Sequence, residues 1–197
     1  MHLLLIRHGQ TSLHKNGVPA GWTNDPGLDL DGQLQVKKLA EHISELGPQL
    51  HFKAIYTSPL PRAKMTAEML SIMLAIPMFV DDNLKDINIG DWAGKSIAEV
   101  RNTAIGKRYF HNPVGVRLPN GEEIVEVLER VIPVIERIRK DFPNNSVIVV
   151  SHLDVIKLII AHYTHYSLHD LHSQETIPIA SGRLIKFSED AVQVTSI

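Results

Sequence analysis

Residues 3–6, Leu-Leu-Leu-Ile, form an apolar run that stops abruptly at Arg7-His8-Gly9. A run this short and sharply bounded fits a buried strand and is too short to cross a membrane. A guanidinium and an imidazole then stand where the strand leaves the core, with a glycine to turn the chain. In α/β proteins, ligands bind beyond the carboxyl ends of the strands. The stretch therefore predicts a site at a strand end, provided that other strands deliver partners to the same place.

The rest of the chain supplies strands in alternation with helices. Residues 54–57 and 78–80 read as short strands, and residues 146–150 as an apolar one. Helices are predicted over 31–46, with Leu34, Leu39, Ile43 and Leu46 near helical spacing and Gly47-Pro48 as the stop. Others are predicted over 61–75, opened by Pro61 in its first turn, over 97 to about 109, over 122–142 with Pro133 inside, and over 155–163. Residues 8–30 and 111–120 carry the prolines and glycines of loops. Residues 183–187 and 192–195 pair as a hairpin across Glu189-Asp190. This order predicts an α/β three-layer sandwich, its central, mostly parallel sheet flanked by helices. One domain spans 1–197, with a cap segment expected within about 81–120.

Composition narrows the function classes. At 197 residues, 44% hydrophobic and 21% charged, the chain has the make-up of an ordinary globular domain. A net charge of −2 gives no field favouring nucleic acid or an anionic membrane. The absence of cysteine excludes disulfides, thiol nucleophiles and cysteine-ligated zinc. With no signal-peptide pattern at the amino terminus, the expected location is cytoplasmic. Among the eleven histidines, His162, His165, His169 and His172 would share one side of a continuous helix. Thr164 and Ser167 weaken that helix and no carboxylate triad frames the set, so no metal site is assigned.

Four strand ends carry chemistry. Arg7-His8 follows the first strand, Ser58 and Arg62 the second, Asp86 the third and Ser151-His152 the apolar strand at 146–150. Two guanidiniums can hold a phosphoryl group by bidentate, charge-assisted hydrogen bonds. One imidazole can attack phosphorus, and the second, protonated, can neutralise its equatorial oxygens. A carboxylic acid can protonate the leaving oxygen and then activate water. No cofactor is required, because cations take the place that magnesium has in other phosphoryl transfers.

The segments carrying these residues resemble the histidine phosphatase superfamily, in the branch similar to phosphoglycerate mutase and its phosphatase relatives. The resemblance rests on Ile6-Arg7-His8-Gly9-Gln10-Thr11, Gly21-Trp22, Leu28-Asp-Leu-Asp-Gly32 with Gln35, Ile55 to Ala63 with Thr66-Ala67-Glu68, Leu84-Lys-Asp86 with Gly90-Asp91-Trp92 and Gly94, and Val149-Val-Ser-His152. These motifs cover nearly the whole chain in order. The resemblance implies a phosphoglycerate mutase-like fold and a phosphohistidine formed on His8. Arg7, Arg62 and His152 would hold the phosphoryl group, and Asp86 would be acid and base. It also implies that Gln10, Thr11, His14, Gly21 and Leu153 lie in the substrate site.

The chain departs from the family pattern at three places. The acid is Asp86 where relatives commonly carry glutamate, which leaves Asp82 and Asp91 as alternative donors. His14 stands where relatives often have asparagine. Leu153-Asp154 follows the second histidine where glycine is common. The segment from Asp86 to Gly94 lacks the basic residues of a bisphosphoglycerate-dependent mutase, which favours hydrolysis of a small phosphorylated metabolite. A mutase is the alternative enzyme, and a phosphate-binding regulatory module the alternative of another class. Substrate identity and oligomeric state are not readable.

Overall fold

A computed structural model describes residues 1–22, 25–188 and 191–197. Its centre is a six-stranded sheet of β1 (His2–Arg7), β2 (Phe52–Thr57), β3 (Met78–Val80), β4 (Ser146–Ser151), β5 (Gly182–Phe187) and β6 (Val192–Ser196), in the order β3-β2-β4-β1-β5-β6. The first four run parallel, β5 lies antiparallel to β1, and β6 lies antiparallel to β5. The turn residues Glu189-Asp190 of that last hairpin lie outside the described residues.

Both faces of the central strands are buried, which is why β1 and β4 read as continuous apolar runs rather than alternating ones. Leu3, Leu5, Val147 and Val149 point to the layer formed by α6 (Ile124–Asp141) and α7 (Leu153–Thr164). Leu4, Ile6, Ile148 and Val150 point to the layer of α2 (Leu30–Leu50) and α3 (Pro61–Leu74). All four residues of the opening run are fully buried. At about 1.5–3 kcal/mol per buried aliphatic side chain, they anchor β1 and fix where Arg7-His8 emerges.

Several expectations change in detail. The buried stripe of α2 is Val36, Leu39, Ala40 and Ile43, while Leu34 faces solvent at 61% exposure. The helix also continues to Leu50, beyond the stop expected at Gly47-Pro48. A short helix, α1 (Ser12–Lys15), forms inside the expected 8–30 loop, where the Thr11 side chain accepts from the His14 amide. The helix expected over 97–109 is two, α4 (Ile97–Asn102) and α5 (Ala104–His111). Thr103 divides them, because its hydroxyl caps the Gly106 amide at 2.9 Å. Pro133 does not end α6: it sits on the helix's solvent side, where water can satisfy the freed carbonyl. Finally, α7 stops at Thr164 with His165 in the left-handed region. His169 and His172 therefore lie on a separate 3-10 segment, and the four histidines share no helix face. Among the described residues, no helix is long and apolar enough to cross a membrane.

Candidate active site

Strand register brings the predicted residues together. Arg7 pairs with Ser151 and Thr57 with Val150, so β1, β2 and β4 end side by side. His8, Ser58 and His152 are the next residues of each chain. Two backbone bonds fix them there: the His8 amide donates to Ser151 at 3.2 Å, and the Ser58 amide to Val150 at 3.1 Å. The His8 and His152 rings stand 5.2 Å apart between centroids. The Ser151 hydroxyl donates to the Leu84 carbonyl at 2.9 Å and draws in the loop that carries Asp86.

His8 is 3% exposed. Its Nδ1 lies 2.8 Å from the Gly9 carbonyl, which can only accept, so Nδ1 carries the ring proton. Its Nε2 lone pair accepts from Arg62 Nε at 3.2 Å. Burial, and then the Arg62 cation, hold its pKa well below the usual histidine value. With Nδ1 donating and Nε2 accepting, the ring is neutral, and His8 lines the cavity. Gly9 itself is required by packing: a Cβ there would come within 2.9 Å of Val36 and 3.0 Å of the Gly32 carbonyl. Its amide is held by the Thr66 hydroxyl at 3.0 Å.

Arg62 is 2% exposed and every part of its guanidinium is engaged. Besides His8, Nη1 donates to Asp25 at 2.5 Å and to the Gly21 carbonyl at 3.2 Å, and Nη2 donates to Asp86 at 2.9 Å. Pro61 at the first helical position aims this first turn of α3 into the site. Arg7 donates to the Ile177 carbonyl at 2.7 Å, while its buried Nε has no partner among the described residues.

Asp86 Oδ2 lies 3.6 Å from His152 Nδ1, and Oδ1 accepts from the Ile87 amide at 3.0 Å. Burial raises its pKa above the usual carboxylate value, and Arg62 opposes the rise. His152 is fully buried, with Nε2 2.9 Å from the Ser58 hydroxyl and Nδ1 unpaired. Burial, then the Arg62 charge, lower its pKa well below the usual value.

The remaining predicted residues divide. His14 lies beside His8, 5.1 Å between ring centroids, and burial with Arg7 and Arg62 lowers its pKa to about 4. Gly21 and Leu153 also line the cavity. The Thr11 hydroxyl is bonded to His14 Nδ1 at 2.9 Å and orients that ring. Gln10 does not join them: its amide donates to Asp29 at 3.1 Å and to Asp31 at 3.4 Å, so it ties down the loop rather than facing the cavity. Of the alternative acids, Asp82 pairs with Lys85 and Asp91 with Asn120, both away from His8. Sequence reading missed Asp25, which meets Arg62 across 37 positions of chain. It also missed Arg130, whose guanidinium donates to the carbonyls of Asn83, Lys85 and Asp86. Among the described residues, no group of three or more histidine and acidic side chains is placed to hold a metal ion.

The cavity has a volume of about 400 Å³. Arg7, His8, Arg62 and Asp86 line one end, and residues 87–110 supply an apolar wall. Such an end can seat a tetrahedral anion between two guanidiniums, with an imidazole lone pair on one side and a carboxyl group at hand.

Comparison with known proteins gives the same direction. The family model described as histidine phosphatase superfamily (branch 1) matches residues 3–197. A bifunctional protein of Mycobacterium tuberculosis is 35% identical over 160 residues, 80% of this chain but 43% of that protein. The chain thus spans less than half the length of that relative. Phosphoserine phosphatase 1 of Hydrogenobacter thermophilus is 32% identical over 152 residues, 76% of this chain and 70% of that one. The solved structure of YhfR from Bacillus stearothermophilus superposes with a TM-score of 0.89 at 26% identity, covering 99% of this chain and 95% of that one.

Proposed function

The chain belongs to branch 1 of the histidine phosphatase superfamily, and on that premise we propose that it is a metal-independent phosphomonoesterase of small phosphorylated metabolites. The observation that carries this reading is the neutral, buried His8, its Nδ1 proton given to Gly9 and its Nε2 lone pair held by Arg62. A residue that only binds phosphate needs no such lone pair.

In the first half-reaction, Arg7 and Arg62 receive the phosphoryl oxygens, and the Arg62 Nε–H turns its hydrogen bond from His8 Nε2 to a phosphoryl oxygen, keeping its proton. His8 Nε2 attacks phosphorus in line, forming a P–N bond as the bond to the leaving oxygen breaks. Asp86, whose raised pKa favours the protonated form, gives its proton to that oxygen. The Ser58 hydroxyl, which accepts from the Leu60 amide, donates to His152 Nε2, so the ring proton sits on Nδ1, on the side of Asp86. In the second half, Asp86 as carboxylate takes a proton from water. The oxygen attacks phosphorus, the P–N bond breaks, and inorganic phosphate leaves with His8 restored. The positive charge needed for this transfer comes from the two guanidiniums. The same reading takes residues 1–197 as one domain, with the segment near 81–120 as its cap, and places the activity in the cytoplasm.

Hydrolysis of p-nitrophenyl phosphate by the intact chain and by His8→Ala tests the proposal. Acid-labile phosphate should be trapped on the intact chain, and turnover by His8→Ala should fall by roughly the 10³-fold or more expected when a nucleophile is lost. Full activity in His8→Ala would overturn it.

A further inference from the structure

The cavity does not end at the phosphoryl-holding residues. It extends along the first turns of α7 and under α4 and α5, where Asp154, Lys157, Tyr109 and Phe110 line it. Nothing in the phosphoryl transfer uses these groups. Resting on the phosphatase reading, we propose that this far end is a polyol subsite, and that the substrate is the monophosphate of a hydroxyl-bearing ring, a sugar phosphate.

The Asp154 carboxylate lines the cavity yet accepts no hydrogen bond and forms no ion pair among the described residues. Asp154 is half-buried, and withdrawing a carboxylate from water without a partner is costly unless a ligand provides one. Lys157 lies one helical turn further on the same face of α7 and is 5% exposed. Its Nζ donates only to the Gln174 carbonyl, at 3.1 Å, and leaves two N–H groups over. The two side chains could neutralise each other and do not. A free acceptor and a free donor on one wall match hydroxyl groups, each of which both donates and accepts. A second phosphate would meet the Asp154 charge and is disfavoured there.

The opposite wall supplies the second half of the match. Tyr109 packs edge-on to Phe110 at 5.5 Å, and both lie against His172 at 4.8 and 5.5 Å. The Tyr109 hydroxyl and His172 Nε2 are buried without partners among the described residues. Aromatic faces with a polar rim suit a ring with apolar C–H faces and polar edges. Position fits as well: Arg7, His8 and Arg62 at one end and Asp154 and Lys157 at the other line one continuous cavity. A serine-sized leaving group would fill little of the space, which lies within the range that takes larger ligands.

The test is a comparison of kcat/KM for glucose 6-phosphate, ribose 5-phosphate, phosphoserine and p-nitrophenyl phosphate in the intact chain, Asp154→Asn and Lys157→Met. Sugar phosphates should be preferred over phosphoserine. Each substitution should lower kcat/KM for them at least tenfold, mainly through KM, while p-nitrophenyl phosphate changes less than twofold. Equal losses on all substrates, or a preference for phosphoserine, would overturn the subsite. Calorimetric titration of glucose 6-phosphate into His8→Ala, with and without Asp154→Asn, judges it independently of turnover. Weaker binding in the double variant supports the subsite even if the intact chain hydrolyses nothing, and unchanged binding refutes it.

Discussion

At the scale of single residues, the proton donor is the choice that sequence left open. Asp86 alone among the three candidate acids reaches the histidines, 3.6 Å from His152 Nδ1, and shares Arg62 with His8. Arg62 donates to both the nucleophile and the acid and so fixes the one relative to the other. If Asp86 protonates the leaving oxygen, the loss on substitution depends on how much that oxygen needs the proton. Asp86→Asn should lower kcat/KM, which reports transfer to His8 and not the second half-reaction that Asp86 also serves, by roughly 10²–10⁴-fold for an alkyl phosphate. A nitrophenolate leaves unaided, so the loss on p-nitrophenyl phosphate should be far smaller. A leaving-group series measures this directly, and equal losses across the series would remove Asp86 from the donor role. The strand-end residues Arg7, His8 and His152 were legible because several motifs in order point to one place; the apolar run with a charged end is a weak signal by itself. Asp25 was not, since its only meaning is a partner 37 positions away.

At the scale of elements, the alternation of strands and helices was readable because buried parallel strands are continuous apolar runs and helices are not. What the pattern hid were breaks made by one hydroxyl. Thr103 divides α4 from α5 without interrupting the apolar spacing. Equally hidden was the way α6 holds the acid. Arg130 donates at 2.6, 2.9 and 2.8 Å to the carbonyls of Asn83, Lys85 and Asp86, and Glu122 grips the same guanidinium at 3.0 Å. Arg130 touches no reacting atom; it is a positioning residue for the loop that ends in Asp86. Removing it leaves acceptors unsatisfied, at about 1–3 kcal/mol of stability. Arg130→Met should therefore lower the thermal midpoint and reduce kcat more than it raises KM. Its loss should also be larger for alkyl than for aryl phosphates, following the Asp86→Asn pattern. In the double variant the kinetic losses should not add, because both act through one proton. Additive losses would show that Arg130 serves stability alone.

At the scale of the whole molecule, the site opposes stability in acid. His8 and His152 are folded into the centre as neutral rings, with pKa values held well below the ordinary 6.5 by burial and by Arg62. The unfolded chain takes up protons on these rings as pH falls through about 6.5, while the folded chain does not. Stability is therefore greatest above pH 6.5 and declines below it, down to the depressed folded values. Each ring adds at most about 1.4 kcal/mol per pH unit to that slope. His14 and His172, lowered to about 4, act in the same direction over the window from 6.5 to 4. Asp86 and Asp154 act with the opposite sign. Their raised folded values mean that the folded state takes up protons first, and it regains stability as pH falls through those values. The net expectation is a thermal midpoint that drops steadily from pH 7.5 to pH 5. His8→Gln cannot titrate, so its midpoint should fall less steeply over the same range, whatever its value at pH 7.5. A phosphate-free buffer is needed, because an anion between Arg7 and Arg62 would stabilise the protonated rings and flatten the curve. Parallel slopes for the two proteins would mean that His8 does not reach the folded state as a neutral ring, and the nucleophile would then have to be sought elsewhere.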